Sequence, residues 1–230
     1  MKAVCIVIKN NKISENGYQN LVNSSRDVGN DFEILKWNAV TPENVDKFIE
    51  GSGVRWNYPW KGSHHDEETG LLKSAYNTAN PKARIACAVS HYCLWSESAM
   101  NNETMLILEH DALFINKIDF SPDDTKAEII GINNPIGATR RANLFHSKIQ
   151  ESELQFQLIP KIDDDIIPQG LAGNSAYIIK PNGAKKLLEL VDRYGLWPND
   201  AIMCRQLISK MCVTKKYYTR VQGLQSTTST

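Results

Sequence analysis

Thr104-Met105-Leu106-Ile107-Leu108, an apolar run with the character of a buried strand, leads straight into Glu109-His110-Asp111 and then returns to Ala112-Leu113-Phe114-Ile115. Strand side chains alternate between faces, so Glu109 and Asp111 are expected on one side at a strand end, with His110, one residue out of phase, on the other. Two carboxylates so placed suit a divalent cation or a sugar hydroxyl, both of which take oxygen ligands. Taken alone, such a pair is more often an acidic turn behind a core strand, and the weight of the reading lies in what flanks it.

Upstream, Pro81 to Met100 opens with proline in a first-turn position and carries Ile85, Val89, Tyr92 and Cys93 at helical spacing. This predicts a helix feeding the acidic strand, with Arg84, His91 and Trp95 on one stripe and Ser90 beside His91. Downstream, Gly173 to Ile179 reads as a strand, Lys180-Pro181-Asn182-Gly183 as a turn and Ala184 to Leu190 as a helix, followed by Trp197-Pro198-Asn199-Asp200. In the N-terminal third a strand at Lys2 to Ile8, a helix near Tyr18 to Val28, a strand at Phe32 to Trp37 and a helix from Thr41-Pro42-Glu43-Asn44 to about Glu50 alternate as an open parallel sheet requires. There is neither a GxGxxG turn nor a P-loop, which argues against a dehydrogenase and an ATPase.

The 230 residues suffice for one α/β domain without external staples. We expect that domain over residues 1–220, with a polar tail over 221–230. The five cysteines form no CxxC pair and leave one over, as reduced thiols in a cytoplasmic chain do. The apolar part of Met1 to Ile8 is too short for a signal sequence and nothing approaches a membrane span. Basic and acidic residues balance at 26 each, yet from Leu171 onward nine Lys/Arg face three acids. Such a segment could meet a pyrophosphate or a polyanionic acceptor, or be scattered surface charge.

Between Gly51 and Asn80 no periodicity is visible. Trp56, Tyr58 and Trp60 could stack on a sugar or base or staple the loop to the core, and His64-His65-Asp66-Glu67-Glu68 reads as a solvated charge cluster. Ile129 to Ile132 is a further strand, and Asn133 to Asp165 resembles an insertion in which Gly137-Ala138-Thr139-Arg140-Arg141 could meet an acceptor. A helix from Asp200 through Lys210 and a strand at Val213 to Tyr218 complete the chain.

Taken in order, Arg84 with Ser90-His91, Leu106 to Asp111, Gly173 to Leu187, and Pro198 to Asp200 resemble the motifs of glycosyltransferase family 25, the lipooligosaccharide and procollagen galactosyltransferase group. The resemblance covers residues 81 to 205 and implies a GT-A-like α/β fold, an open mixed, mostly parallel sheet flanked by helices. It also implies a nucleoside diphosphate sugar (such as a UDP-sugar) as donor, Mn²⁺ or Mg²⁺ as cofactor, and inversion by direct displacement. Carried onto this chain, the metal ligands would be Glu109 and Asp111, and the donor would meet Arg84, Ser90, His91, Glu109, His110, Asp111, Gly173, Asn174 and Ser175. Asp200 would be the general base, with a helix N-cap as its competing role. His110 departs from the family's Glu-Asp-Asp and suits Mg²⁺ poorly, which leaves metal dependence open. The acceptor is a saccharide or a hydroxymethylated DNA base, and the alternative is a degenerate, non-catalytic sugar-binding module.

Overall fold

The structure, a computed structural model, describes residues 1–139, 141–171 and 173–224. Its elements are β1 (Lys2–Val7), α1 (Lys12–Asp27), β2 (Ile34–Asn38), α2 (Val45–Ser52), β3 (Ser63–Asp66), β4 (Leu71–Ser74), α3 (Pro81–Asn101), β5 (Met105–Glu109), β6 (Ala112–Phe114), β7 (Ile129–Gly131), α4 (Ala142–Glu151), β8 (Phe156–Leu158), β9 (Ala176–Ile179), α5 (Pro181–Tyr194), α6 (Asn199–Ile202), β10 (Met211–Thr214) and β11 (Thr219–Val221). A seven-stranded sheet has the order β2-β1-β5-β9-β7-β10-β8. Five strands point one way, while β9 and β8 run against their neighbours, so the sheet is mixed and mostly parallel, as expected.

The apolar run of β5 lies at the centre of this sheet and supplies both faces. Met105 and Ile107 join a core built with α3 and α5, including Val89, Leu94, Trp95, Leu187 and Val191. Leu106 and Leu108 join the opposite core with Leu21 of α1, Cys5 and Ile178. Every one of these four strand residues is fully buried, and each such side chain contributes roughly 1.5–3 kcal/mol. The alternation also puts Glu109 on the α3 side of the sheet.

Several boundaries differ from the sequence reading, each for a local reason. Helix α1 begins at Lys12, not Tyr18, because Asn11 caps it by accepting from the Ser14 N–H at 3.0 Å. Helix α2 begins at Val45: Thr41 to Asn44 forms a separate turn in which Asn44 Oδ1 accepts from the Thr41 N–H at 2.8 Å. Pro181-Asn182-Gly183 is the first turn of α5 rather than a loop, with Lys180 in the capping position. Helix α6 stops at Ile202 instead of reaching Lys210, and the last strand expected is two, β10 and β11, the second pairing with β6. Since β11 includes Val221 and Gln222 is bonded on three sides, the packed chain continues past the expected tail boundary at 221. Gln225 to Thr230 lies outside the described residues.

The region read as irregular contains the β3–β4 hairpin. Asp66 is not solvated as expected: it is buried and pairs at 2.5 Å with Lys73, itself buried over the Trp197 ring. His64 and His65 are exposed. The aromatic residues staple the loop down. Trp56 and Trp60 stack at 5.0 Å, and Tyr58 packs 5.8 Å from both Tyr76 and Trp197. The insertion holds α4 and β8; its Arg141 bonds Asp163 at 2.7 Å and the Ile162 carbonyl, while Arg140 lies outside the described residues.

Candidate active site

Strand alternation ends at Glu109, and His110-Asp111 turns the chain into β6. The turn corrects one expectation: His110 does not face away but lines the same cleft as Glu109 and Asp111. Four contacts hold it. The Glu109 N–H donates to the Ser175 carbonyl at 2.8 Å, Gln222 Nε2 contacts the His110 and Ala112 carbonyls at 3.1 and 2.8 Å, and Gly17 of α1 abuts the His110 carbonyl. A Cβ at Gly17 would lie 2.4 Å from that oxygen, so only glycine admits the approach.

The cleft, of about 400 Å³, is formed where β1 and β5 end against the N-terminal half of α3, with Gly137 to Thr139, Gly173 to Ser175, the start of α6, and Val221 to Leu224 around it. All ten residues expected to act are on its wall: Arg84, Ser90, His91, Glu109, His110, Asp111, Gly173, Asn174, Ser175 and Asp200. Gly173 has φ of +90°, and a Cβ there would lie 2.6 Å from the Ala138 Cβ, so the glycine serves a close passage of two loops. Ser90 is spent on structure, donating to the Ala86 carbonyl at 2.8 Å and accepting from the Val40 N–H at 2.9 Å.

Glu109 is oriented by a chain of hydrogen bonds from the core. Trp95 Nε1 donates to the Tyr177 hydroxyl at 2.8 Å, that hydroxyl meets His91 Nδ1 at 2.9 Å, and His91 Nε2 meets Glu109 Oε1 at 3.1 Å. An ionised carboxylate only accepts, so Nε2 is the donor to Glu109; in the neutral imidazole Nδ1 then accepts from the Tyr177 hydroxyl. Burial pushes the Glu109 carboxyl up, but the His91 hydrogen bond and the charges of His91, His110 and Arg84 outweigh it and leave the group below its ordinary range. Asp111 goes the other way. Burial and the Glu109 charge push it up to about 7, with the Ser175 hydroxyl nearby working against them.

Asp200 occupies the second position of α6; Pro198 precedes the helix and no side chain caps it, so the cap role is not the one Asp200 plays. Burial raises its carboxyl, while Arg84 and the nearby Tyr76 hydroxyl oppose that and the Glu109 charge adds to it. The Arg84 guanidinium lies 4.7 Å from the Tyr76 ring centroid. Tyr76, Tyr177 and Gln222 escaped sequence reasoning. Tyr177 stands inside the quoted motif, whereas Tyr76 and Gln222 carry no periodic signal and reach the site only through the fold.

The buried side-chain atoms without a hydrogen-bond partner, among the described residues, are Arg84 Nε, Asp111 Oδ1, both amide atoms of Asn174, and Asp200 Oδ1. All belong to the wall of this cleft. Proteins rarely leave such groups unpaired, because each loses about 1–3 kcal/mol of solvation, so these atoms call for water or a polar ligand in the cleft.

A family model, glycosyltransferase family 25 (LPS biosynthesis protein), matches residues 31–203, and the chain belongs to that family. It is a glycosyltransferase. No curated relative matches the chain. Among solved structures it is similar to an active-site mutant of LgtC, with TM-score 0.44 and 15% identity over 93% of this chain and 72% of that one. The galactosyltransferase LgtC with donor and acceptor sugar analogues gives 0.43 and 12% over 93% and 73%. Mouse xyloside xylosyltransferase 1, in its apo form, gives 0.37 and 10% over 91% and 80%.

Proposed function

We propose that the cleft binds a nucleoside diphosphate sugar and transfers the sugar, with inversion, to a hydroxyl of an acceptor saccharide. The observation that carries this is the set of unpartnered buried polar atoms on one wall: a guanidinium, an amide and two carboxylates match a diphosphate, sugar hydroxyls, a cation and an acceptor proton respectively. Asp111 and Glu109 fit a divalent cation. Burial and then the Glu109 charge lift Asp111, and a cation would relieve that repulsion as well as the unpaired Asp111 Oδ1. Such a cation would neutralise charge developing on the diphosphate leaving group.

The chain's own residues divide the remaining work. Arg84, held over Tyr76, presents its unpaired Nε–H to phosphate or ribose oxygens. Asn174 offers one donor and one acceptor to sugar hydroxyls, and the loop from Gly173 to Ser175 brings its backbone close. Asp200 takes the proton of the attacking hydroxyl through Oδ1, an effect worth about 10²–10⁴ in rate. Membership of a transferase family weighs against a non-catalytic sugar-binding module.

A DNA acceptor loses its main support. Of the basic residues that suggested it, Lys186, Lys210, Lys215 and Lys216 pair with Glu189, Glu128, Glu153 and Asp119, and Arg205 bonds the Ile159 carbonyl. The deciding experiment is incubation with a panel of nucleotide sugars and Mn²⁺ or Mg²⁺, scored for release of nucleoside diphosphate. Release that depends on one sugar and rises with a saccharide acceptor is the expected result; no release with any pair would overturn the reading.

A further inference from the structure

We propose that Cys87, His91 and Glu109 form a second metal site, selective for a thiophilic transition ion such as Zn²⁺, whose filling takes Glu109 away from the donor-site cation and inhibits transfer. Cys87 and His91 stand four apart on α3 and so lie one above the other on a single helix face, and Glu109 reaches them from the end of β5. Their three ligand atoms all fall within 4.8 Å of one another. Around tetrahedral zinc, bonds of about 2.3 Å to sulfur and 2.0–2.1 Å to nitrogen or oxygen bring ligand atoms to about 3.5 Å apart. Closing the site therefore needs side-chain adjustment of about 1 Å and no movement of helix or strand.

The donor set decides the metal. A thiolate and an imidazole favour Zn²⁺ or Co²⁺ over Mg²⁺, for which carboxylates and water are the better ligands. His91 also has the outer contact that metal-bound imidazoles use, its Nδ1 lying 2.9 Å from the Tyr177 hydroxyl that Trp95 fixes in turn. Cys87 has only a weak thiol contact to Asn199 Oδ1 at 3.8 Å to give up. All three residues line the cleft, which provides the path of entry and an open fourth position. On binding, the thiol proton passes to solvent, and the imidazole stays neutral by exchanging its Nε2 proton for one on Nδ1, where it donates to the Tyr177 oxygen. The Glu109 carboxylate enters already ionised.

Only the inhibitory consequence rests on the proposed transferase reaction, in which Glu109 serves the donor-site cation. Binding is tested separately. Co²⁺ is added to the metal-free full chain, and the near-ultraviolet cobalt–thiolate charge-transfer band is recorded for the wild type, Cys87→Ser and Cys87→Ala, so that one folded variant suffices. The expected result is a band in the wild type that both variants lose. No band in the wild type, or a band undiminished in a folded variant, overturns the site. In the second arm Zn²⁺ is titrated into the Mn²⁺-supported transfer reaction, where its inhibition should weaken about tenfold or more in Cys87→Ser. A cobalt band without inhibition by Zn²⁺ in an active enzyme overturns the coupling to Glu109. The band together with no transfer from any donor would sink the transferase reading and uphold the site.

Discussion

The backbone N–H of Gln222 donates to the Asp111 carbonyl at 2.7 Å, and the same residue's Nε2 meets the carbonyls of Gly17, His110 and Ala112 at 2.9, 3.1 and 2.8 Å. A single side chain from the end of the packed chain thus ties α1 to the turn that presents both acids. In Gln222→Ala the carbonyls of Gly17, His110 and Ala112 lose a shared donor, at about 1–3 kcal/mol in all. The expected outcome is a melting temperature lower by several degrees and weaker Mn²⁺ binding, read by thermal denaturation and metal titration. Unchanged values in both would show that the clamp carries nothing.

Asp111→Asn should abolish turnover with the fold intact, because it removes the charge of an acid whose Oδ1 awaits a ligand. His110→Asp restores the family's acidic middle position within the same cleft and should preserve or raise activity. Both are read by nucleoside diphosphate release. Full activity in Asp111→Asn, or in EDTA, would remove the cation from the mechanism.

Asp200 gives a pH dependence with a defined sign. Burial raises its carboxyl in the folded state, so folding is favoured most below the unfolded pKa, and that advantage is lost as pH rises through the folded value. Asp200→Asn should therefore melt no lower than the wild type near neutral pH, where a lost helix cap would melt lower. Its donor binding should be normal, its transfer about 10²-fold slower or worse, and the acidic limb of the kcat/KM profile absent. A variant that melts earlier at an unchanged rate would return Asp200 to a structural role.

Salt separates the two acceptor classes. Binding that neutralises DNA phosphates falls with ionic strength at a log–log slope of about −0.9 per contact. Since Lys186, Lys215 and Lys216 are already paired with acids, we expect no such slope for hydroxymethylated duplex DNA and salt-insensitive use of an oligosaccharide. Steeply salt-dependent DNA binding that is lost when Lys185, Lys186, Lys215 and Lys216 become alanine would contradict the saccharide assignment.

What the sequence determined by itself was local and periodic. The apolar run before Glu109 established a central strand, the proline-led pattern from Pro81 established α3, and motif order picked out ten residues that line the cleft. Boundaries went astray where a side chain overrode the pattern, as Asn11 does in starting α1 early. The tertiary structure alone decided how these pieces face one another. Alternation along β5 cannot reveal that a turn at His110 sends three successive residues into one cleft, nor that Tyr76 reaches Asp200 or Gln222 reaches Asp111. The surplus of basic residues after Leu171 is real in the sequence, yet Lys210, Lys215 and Lys216 are matched by Glu128, Glu153 and Asp119, acids that lie far away along the chain. Charge and contact at a distance depend on the three-dimensional path of the backbone, and a linear pattern records only neighbours.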